Sequence, residues 1–465
     1  MMFKFNNHYV SRTLVKLLTV EAFVLIMSVY LGASIRFFDP AGPLISTHHD
    51  LFTEACVFTF LMLFSMSVMG MYELNYREGL SYTLLRLMPS LLLGFGLTAL
   101  ALYLLPELQF GRGILVIVMA IAAFGIALTR ILFYKWSSFA SQQSQILILG
   151  VGELAKDCNL VATHYASHKF NVIGFVPIGN EECVVPSSAV LPMKGSLASM
   201  AKRNGAREIV VAVENRRGGT FPIQQLLECK LNGIKVSDLA SFFERELFQI
   251  RVDSLHPSWL VYGDGFNQGD LRTSIKRVFD LFASLLLFVV TLPIMLITAL
   301  FIFIEDGAPI FYQQERVGKG GHPFMVLKFR SMRKDAEKQG TPQWAGENDP
   351  RTTKIGRIIR KLRIDELPQI INVLKGDMSF VGPRPERPYF VQHLSKQIPY
   401  YDARHTVKPG ITGWAQVRYQ YGASVEDALR KLQYDLYYVK NNSLFLDVII
   451  LLETVRVVLL GKGGR

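Results

Sequence analysis

Two adjacent carboxylates, Asp365 and Glu366, stand out as residues whose type and spacing could do chemistry; they lie in Ile364-Asp365-Glu366-Leu367-Pro368-Gln369. Cations crowd them. Arg351, Lys354, Arg357, Arg360, Lys361 and Arg363 precede the pair, interleaved with Ile355, Ile358, Ile359 and Leu362. Apolar spacings of three and four predict an amphipathic helix over 351–363 with a heavily basic face. Upstream, 326–332 reads as a strand carrying Lys328 and Arg330. With so many cations nearby, one carboxylate can stay ionised as a nucleophile toward phosphorus while the other holds a metal. The cations would neutralise phosphate charge and fix the line of attack. Pro368 suits the first turn of a helix running to about Leu374, which places both acids at a helix N-terminus. On spacing alone, an ordinary capping pair worth about 0.3–1 kcal/mol fits as well. The basic face likewise suits anionic lipid, a reading compatible with phosphate binding.

The chain that must position these groups has 465 residues, half of them hydrophobic, with 19% charged and a mean hydropathy of +0.26. That balance excludes disorder, collagen-like repeats and a disulfide-rich scaffold, and predicts a membrane protein of several domains. The net charge of +12 is uneven: +2 over 1–140, zero over 141–272 and +10 over 273–465. A basic excess can mean nucleic acid, anionic lipid or phosphorylated small molecules, and nearly all of it sits in the last 193 residues; the partner expectation for the whole chain is lipid and phosphorylated small molecules, with no nucleic acid. Cys56, Cys158, Cys183 and Cys229 form no C-x-x-C pair, so reduced thiols are expected.

Four apolar stretches, at about 14–35, 51–72, 82–105 and 113–133, are long enough to cross a bilayer. No small-residue cleavage site follows the first, so a removed signal peptide is not expected. Lys4, Arg12, Lys16, Arg77, Arg86, Arg130 and Lys135 bias both ends of this bundle to the cytoplasm, with Arg112 dissenting. Glu21 is the main ionisable residue inside the stretches. It reads either as a functional intramembrane group or as an interfacial residue beside Lys16.

After a polar linker, a buried-strand pattern runs into Gly150-Val151-Gly152-Glu153-Leu154-Ala155, a G-x-G-x-x-A turn between strand and helix. Further strands are predicted at 171–176, 208–213 and 234–236, giving a small parallel α/β domain. A bound dinucleotide would want an acid closing the second strand; here Phe175-Val176-Pro177-Ile178 has none before Glu181. Tyr165 and Lys169 make a Y-x-x-x-K too close to the glycine turn for redox catalysis. His164 and His168, spaced i,i+4, read as a solvated helix face.

Residues 278–304 form a 27-residue apolar run whose only charge is Asp280, with Pro293 near its middle. A straight helix of that length would span about 40 Å. A full crossing would, however, export the +10 segment against the positive-inside bias, so a helix that enters, bends at Pro293 and returns is expected. Near the C-terminus, 444–460 carries Asp447, Glu453 and Arg456 and reads as an interfacial helix. Glu426, Asp427 and Asp435 read as solvated surface.

The string RIDELPQIINVLKGDMSFVGPRPE, over 363–386, resembles the signature of the bacterial sugar transferases, monotopic phosphoglycosyl transferases that begin lipid-linked glycan assembly. Gln314-Glu315-Arg316-Val317-Gly318, Lys328-Phe329-Arg330-Ser331-Met332 and Lys408-Pro409-Gly410-Ile411-Thr412-Gly413-Trp414 extend the likeness. Four spans and a Rossmann-like domain ahead of it resemble the large subgroup, the undecaprenyl-phosphate sugar phosphotransferases of exopolysaccharide, capsule and O-antigen pathways. The resemblance implies a multi-domain membrane protein of the bacterial inner membrane, with its catalytic domain on the cytoplasmic face. A four-helix transmembrane bundle would occupy 1–136 and a Rossmann-like α/β domain 137–270. An α/β catalytic domain would occupy 271–465, with its re-entrant helix over 278–304.

The same resemblance implies that Asp365 attacks the sugar-bearing phosphorus of a UDP-sugar, releasing UMP, and that undecaprenyl phosphate then takes the phosphosugar from Asp365. Glu366 would hold Mg²⁺. Arg384, in Pro383-Arg384-Pro385, would contact the diphosphate, and Lys328, Arg330, Arg363 and Arg418 would neutralise phosphate. A homodimer is the working expectation. The rival enzyme, a membrane-bound nucleotide-sugar dehydratase or epimerase using the middle domain, would need T-G-x-x-G and a well-placed Y-x-x-x-K, and neither occurs. A non-catalytic lipid-binding scaffold is disfavoured by the intact Asp365-Glu366 and Pro383-Arg384-Pro385.

Overall fold

The structure, a computed structural model, describes residues 2–5, 8–36, 51–72, 79–105, 112–140, 144–161, 170–179, 181–193, 195–213, 221–252, 269–333, 336, 351–419, 422 and 424–459. Tyr165, Lys169, His164 and His168 lie outside the described residues. The chain divides into two compact units, Ser11–Leu255 and His256–Arg465, the second joined by Phe3–Val10. The N-terminus forms two short paired strands, β1 (Met2–Phe5) and β2 (His8–Ser11). His8 is buried against the second unit, hydrogen-bonded through Nδ1 to the Tyr437 hydroxyl at 2.9 Å and edge-on to Trp414.

The first unit opens with four apolar helices: α1 (Arg12–Arg36), α2 (Phe52–Val68), α3 (Gly79–Leu104) and α4 (Arg112–Ala140). By length and composition α1, α3 and α4 can each cross a membrane. The second expected span is shorter than 51–72 predicts, because its helix ends at Val68 and the chain turns through Gly70 at positive φ. Leu25, Val29, Phe58, Met62, Val118 and Ala122 fill the bundle core. Glu21 faces the interior of the bundle. It is fully buried and paired with Arg130 of α4, whose Nη1 also donates to the Met71 carbonyl. An ion pair in apolar surroundings holds where both charges face each other and the remaining donors are satisfied, as here.

The rest of this unit is a four-stranded, all-parallel sheet in the order β4-β3-β5-β6: β3 (Ser144–Leu149), β4 (Phe170–Val176), β5 (Glu208–Val211) and β6 (Lys235–Asp238). Alternate strand residues feed two cores. Ile146, Ile148 and Val210 meet α5 (Glu153–Leu160) and α8 (Leu239–Leu247) on one face. Leu147, Leu149, Ile209 and Val211 meet α6 (Leu197–Arg203) and α7 (Ile223–Leu231) on the other. The glycine turn falls between β3 and α5 as the sequence predicts. Gly150 is required there: it has φ +126°, and a Cβ would lie 2.4 Å from the Ala212 carbonyl. The acid absent from the end of β4 appears instead inside the turn, where Glu181 Oε2 accepts from Val151 N at 3.0 Å. All four cysteines are free.

The second unit begins with α9 (Asp270–Asp306), 37 residues with Pro293 inside. It too is long and apolar enough to cross a membrane, and most of its apolar side chains are exposed. An antiparallel pair follows, β7 (Phe311–Val317) and β8 (Pro323–Phe329). After it come α10 (Lys354–Lys361), α11 (Gln369–Lys375), β9 (Ser379–Val381), α12 (Pro388–Gln397), β10 (Gly410–Thr412), α13 (Trp414–Arg418), α14 (Val425–Asn441) and α15 (Leu444–Leu459). β9 and β10 are parallel.

Two expected solvated or interfacial charge sets turn inward. Asp435 of α14 is buried and pairs with Arg404 at 2.7 Å. Asp447 of α15 is buried against Lys276 of α9 at 2.9 Å and accepts from the Tyr438 hydroxyl. Arg456 is also buried, beside Glu453. For Asp435 and Asp447 a partner distant in sequence turns what reads as a polar face into a packed one. Glu426 and Asp427 stay local and outward: Glu426 pairs with Arg430 at the surface, and Asp427 closes a capping box with Ser424 at the start of α14.

Candidate active site

The dyad sits in a single 3₁₀ turn, Ile364–Glu366, wedged between α10 and α11. Thr353 caps α10 by accepting from Gly356 N at 2.9 Å, so that helix is shorter than 351–363. Arg363 then takes a left-handed conformation, φ +58°, which costs a non-glycine residue about 1–2 kcal/mol. This reversal carries the chain from the basic helix into the dyad. Pro368 stands immediately before α11, as its fixed φ favours.

Both ends of α9 brace this segment. Arg277 donates to the Val373 and Leu374 carbonyls at 2.6 and 2.8 Å, capping α11. Glu305 accepts from Lys354 N at 2.8 Å and Ile355 N at 3.1 Å, capping α10. Between those caps, Met295 and Ile302 of α9 pack with Phe329 and Ile359. One membrane-type helix thus holds the two short helices on either side of the carboxylates.

Glu366 is buried at the centre of a cationic clamp. Its Oε1 accepts from Lys328 Nζ at 3.0 Å and Arg384 Nη2 at 2.6 Å. Arg384 Nη1 and Arg363 Nη1 lie 3.5 and 3.7 Å from Oε2. Burial alone would raise its pKa; the charges of Arg384 and Lys328, with Arg363 behind them, hold it well below the usual carboxylate range instead. Asp365 differs. Burial first, then the adjacent Glu366 charge, pushes it up to about 6, against the opposing pull of Lys328, Arg384 and Arg360. Among the described residues none hydrogen-bonds the Asp365 carboxylate. One acid is therefore saturated and fixed, while the other is half-buried among cations with its pKa raised by burial and by its neighbour's charge.

The loop carrying Arg384 is fixed from behind. Gly382 packs so tightly on the β10 strand that a Cβ there would lie 2.4 Å from the Lys408 carbonyl. The Pro383 carbonyl accepts from Gly410 N at 2.9 Å, and the Arg384 carbonyl accepts from Arg404 Nη2 at 2.9 Å. The two glycine-and-proline motifs of the sequence are thus one structural unit.

The structure brings Lys328, Arg363 and Arg384 together on Glu366, next to Asp365, while Pro383 is held by Gly410 on the loop that carries Arg384. It directs Arg330 elsewhere: Nη2 donates to the Asp306 and Gly307 carbonyls at 3.1 and 2.7 Å, capping the C-terminus of α9. Arg418 lies over the Trp414 ring at 4.5 Å and 4.0 Å from Glu453, with no described contact to the dyad. Arg360 and Arg404 do contribute and were not singled out. Arg360 belongs to the basic helix already noticed. Arg404's role gives no signal in the sequence, because its link to the site, the Arg384 carbonyl, and its ion-pair partner, Asp435, lie far along the chain. Among the described residues no cluster of three or more His, Cys, Asp or Glu could hold a metal by itself. The donors present fit a Mg²⁺ shared with substrate: Glu366 Oε2 has only long cation contacts, and Mg²⁺ commonly takes one or two protein carboxylates plus phosphate oxygens and water.

A half-buried acid beside a saturated carboxylate, ringed by arginine and lysine on a turn braced by one long apolar helix, is an arrangement suited to binding phosphate. Residues 271–461 match the family described as bacterial sugar transferase. A Caulobacter vibrioides relative, a UDP-glucose:undecaprenyl-phosphate glucose-1-phosphate transferase, is 43% identical over 188 residues, 40% of this chain and 69% of its own. The chain belongs to the bacterial sugar transferase family. A UDP-N-acetylgalactosamine-undecaprenyl-phosphate N-acetylgalactosaminephosphotransferase of Aeromonas hydrophila is 43% identical over 240 residues, 52% of this chain; the chain spans 56% of that relative's length. A UDP-galactose-lipid carrier transferase of Erwinia amylovora is 29% identical over 421 residues, 84% of each chain.

Proposed function

We propose that the protein transfers a sugar 1-phosphate from a UDP-sugar to undecaprenyl phosphate through a covalent phosphosugar on Asp365. The Asp365 carboxylate attacks the sugar-bearing phosphorus; the phosphoanhydride bond breaks and UMP leaves. A phosphate oxygen of undecaprenyl phosphate then attacks the same phosphorus, the acyl-phosphate bond breaks, and the product is a sugar diphospholipid with Asp365 regenerated. Lys328, Arg363 and Arg384 spread the diphosphate charge and orient it. Mg²⁺, held by Glu366 and phosphate oxygens, would supply further charge neutralisation.

The observation that carries this reading is the split within the dyad, one carboxylate clamped by Lys328 and Arg384 and the other left to react. The names of the relatives support the donor and acceptor classes, and they span glucose, galactose and N-acetylgalactosamine. We place the site at the inner face of the bacterial cytoplasmic membrane, with α9 re-entrant. Its two ends, Arg277 and Glu305, cap helices of the same compact unit, which favours both ends on one side of the bilayer. A panel of UDP-sugars tested for UMP release in the presence of undecaprenyl phosphate tests the proposal. One sugar should turn over strongly, and the absence of UMP release from any of them would reject it.

A further inference from the structure

A cavity of about 620 Å³ lies beside the Arg384 loop, and its lining names a ligand class. One wall is the 3₁₀ turn Tyr401–Thr406. Such a turn repeats every three residues, so its faces alternate cleanly. Tyr401 and Arg404 point inward: Arg404 donates to the Tyr401 hydroxyl at 2.7 Å, pairs with Asp435 and holds the Arg384 carbonyl. Asp402, His405 and Thr406 line the cavity. Opposite stand Val317, Pro323, Pro388 and Val391, which offer apolar surface, with Glu315 and Gln392 at the edge.

Resting on the donor reading above, we infer that this cavity receives the nucleoside end of the UDP-sugar. Reach decides between the two ends of the donor. Pro388 is four residues from Arg384, so the cavity begins at most about 14 Å along the chain from the clamp. The sugar is esterified to the very phosphorus that Asp365 attacks and must stay against the dyad. The nucleoside lies beyond a second phosphate and can extend along the 384–388 segment. Chemistry agrees. Glu315 and Asp402 would repel phosphate but suit the vicinal hydroxyls of ribose, the use made of acidic residues in dinucleotide sites. The apolar side chains of the lining suit a pyrimidine face. His405 Nε2 is buried and lacks a hydrogen-bond partner among the described residues, which leaves it for a polar edge of the base. Burial, and then the Arg404 charge, lowers that imidazole to about 4, so it stays neutral and retains an acceptor nitrogen at physiological pH.

The test uses the full-length protein carrying Asp365→Asn, which cannot turn over, so that UMP binding reads the cavity separately from the transfer reaction. UMP and inorganic pyrophosphate affinities are measured by calorimetry in this background and after adding His405→Ala or, at an exposed position, Thr406→Trp. Both additions should weaken UMP at least tenfold and leave pyrophosphate within about twofold, with unchanged thermal midpoints. Unchanged UMP affinity in both variants, or an equal loss of pyrophosphate binding, would overturn the inference. So would failure of the Asp365→Asn parent to bind UMP. The transfer reading is judged independently, by UMP release from the wild-type protein.

Discussion

Replacing Arg384 with alanine isolates what the clamp contributes. Arg384 Nη2 makes the shortest contact to Glu366, 2.6 Å, while its backbone is held by Arg404, so truncation removes a charge-assisted donor without releasing the loop. Two losses follow. Glu366 keeps Lys328 and Arg363 but no longer has its closest cation, and the diphosphate loses a preorganised donor. Removing one such donor from a site that stabilises developing charge typically costs about a hundredfold to a thousandfold in rate. Arg384→Lys keeps the charge but not the planar fork and should recover only part of that loss. The assay is initial-rate UMP release at saturating and limiting UDP-sugar, with kcat and KM separated. A fall confined to KM would mean that Arg384 only binds donor. Full activity in Arg384→Ala, with the variant folded, would refute the clamp as a catalytic device.

Acid should switch the enzyme off. Protonation of Asp365, whose pKa is about 6, removes the nucleophile, so kcat/KM should be constant above pH 7 and fall about tenfold by pH 5; a flat profile would contradict this. Asp435→Leu strands the buried Arg404 charge and should cost about 3–5 kcal/mol, seen as a lowered thermal midpoint in detergent. The double variant Asp435→Leu/Arg404→Met should recover most of it, and no recovery would argue against a charge-pair origin. Glu305→Gln loses the charge that caps α10 and should lower activity more than an exposed Glu426→Gln control, which pairs with Arg430 at the surface.

Local patterns made much of this protein legible. The four strands of the middle sheet, the glycine turn and the helix start at Pro368 each follow from short-range periodicity or backbone preference, whereas the dyad lies in a separate 3₁₀ turn ahead of that helix. What escaped depends on distance along the chain. Glu21 meets Arg130 across two intervening helices, and Asp435 meets Arg404 from another element, so their charges read as wet until the fold supplies a partner. Arg330 sits beside Lys328 in a motif rich in cations, yet a turn of backbone sends it to cap α9. The N-terminal His8, far from any motif, packs on Trp414 and Tyr437. In the middle domain Glu181 occupies the glycine turn from a loop, not from the strand end where a ribose-binding acid would stand.

The covalent role of Asp365 is tested most directly by intact-protein and peptide mass spectrometry. Purified enzyme is given UDP-sugar without acceptor lipid and quenched rapidly. Up to one equivalent of UMP should form, with one sugar phosphate on the peptide bearing Asp365, discharged by undecaprenyl phosphate and absent in Asp365→Asn. UMP formed only when acceptor is present, with no adduct, or turnover persisting in a clean Asp365→Asn preparation, would contradict it.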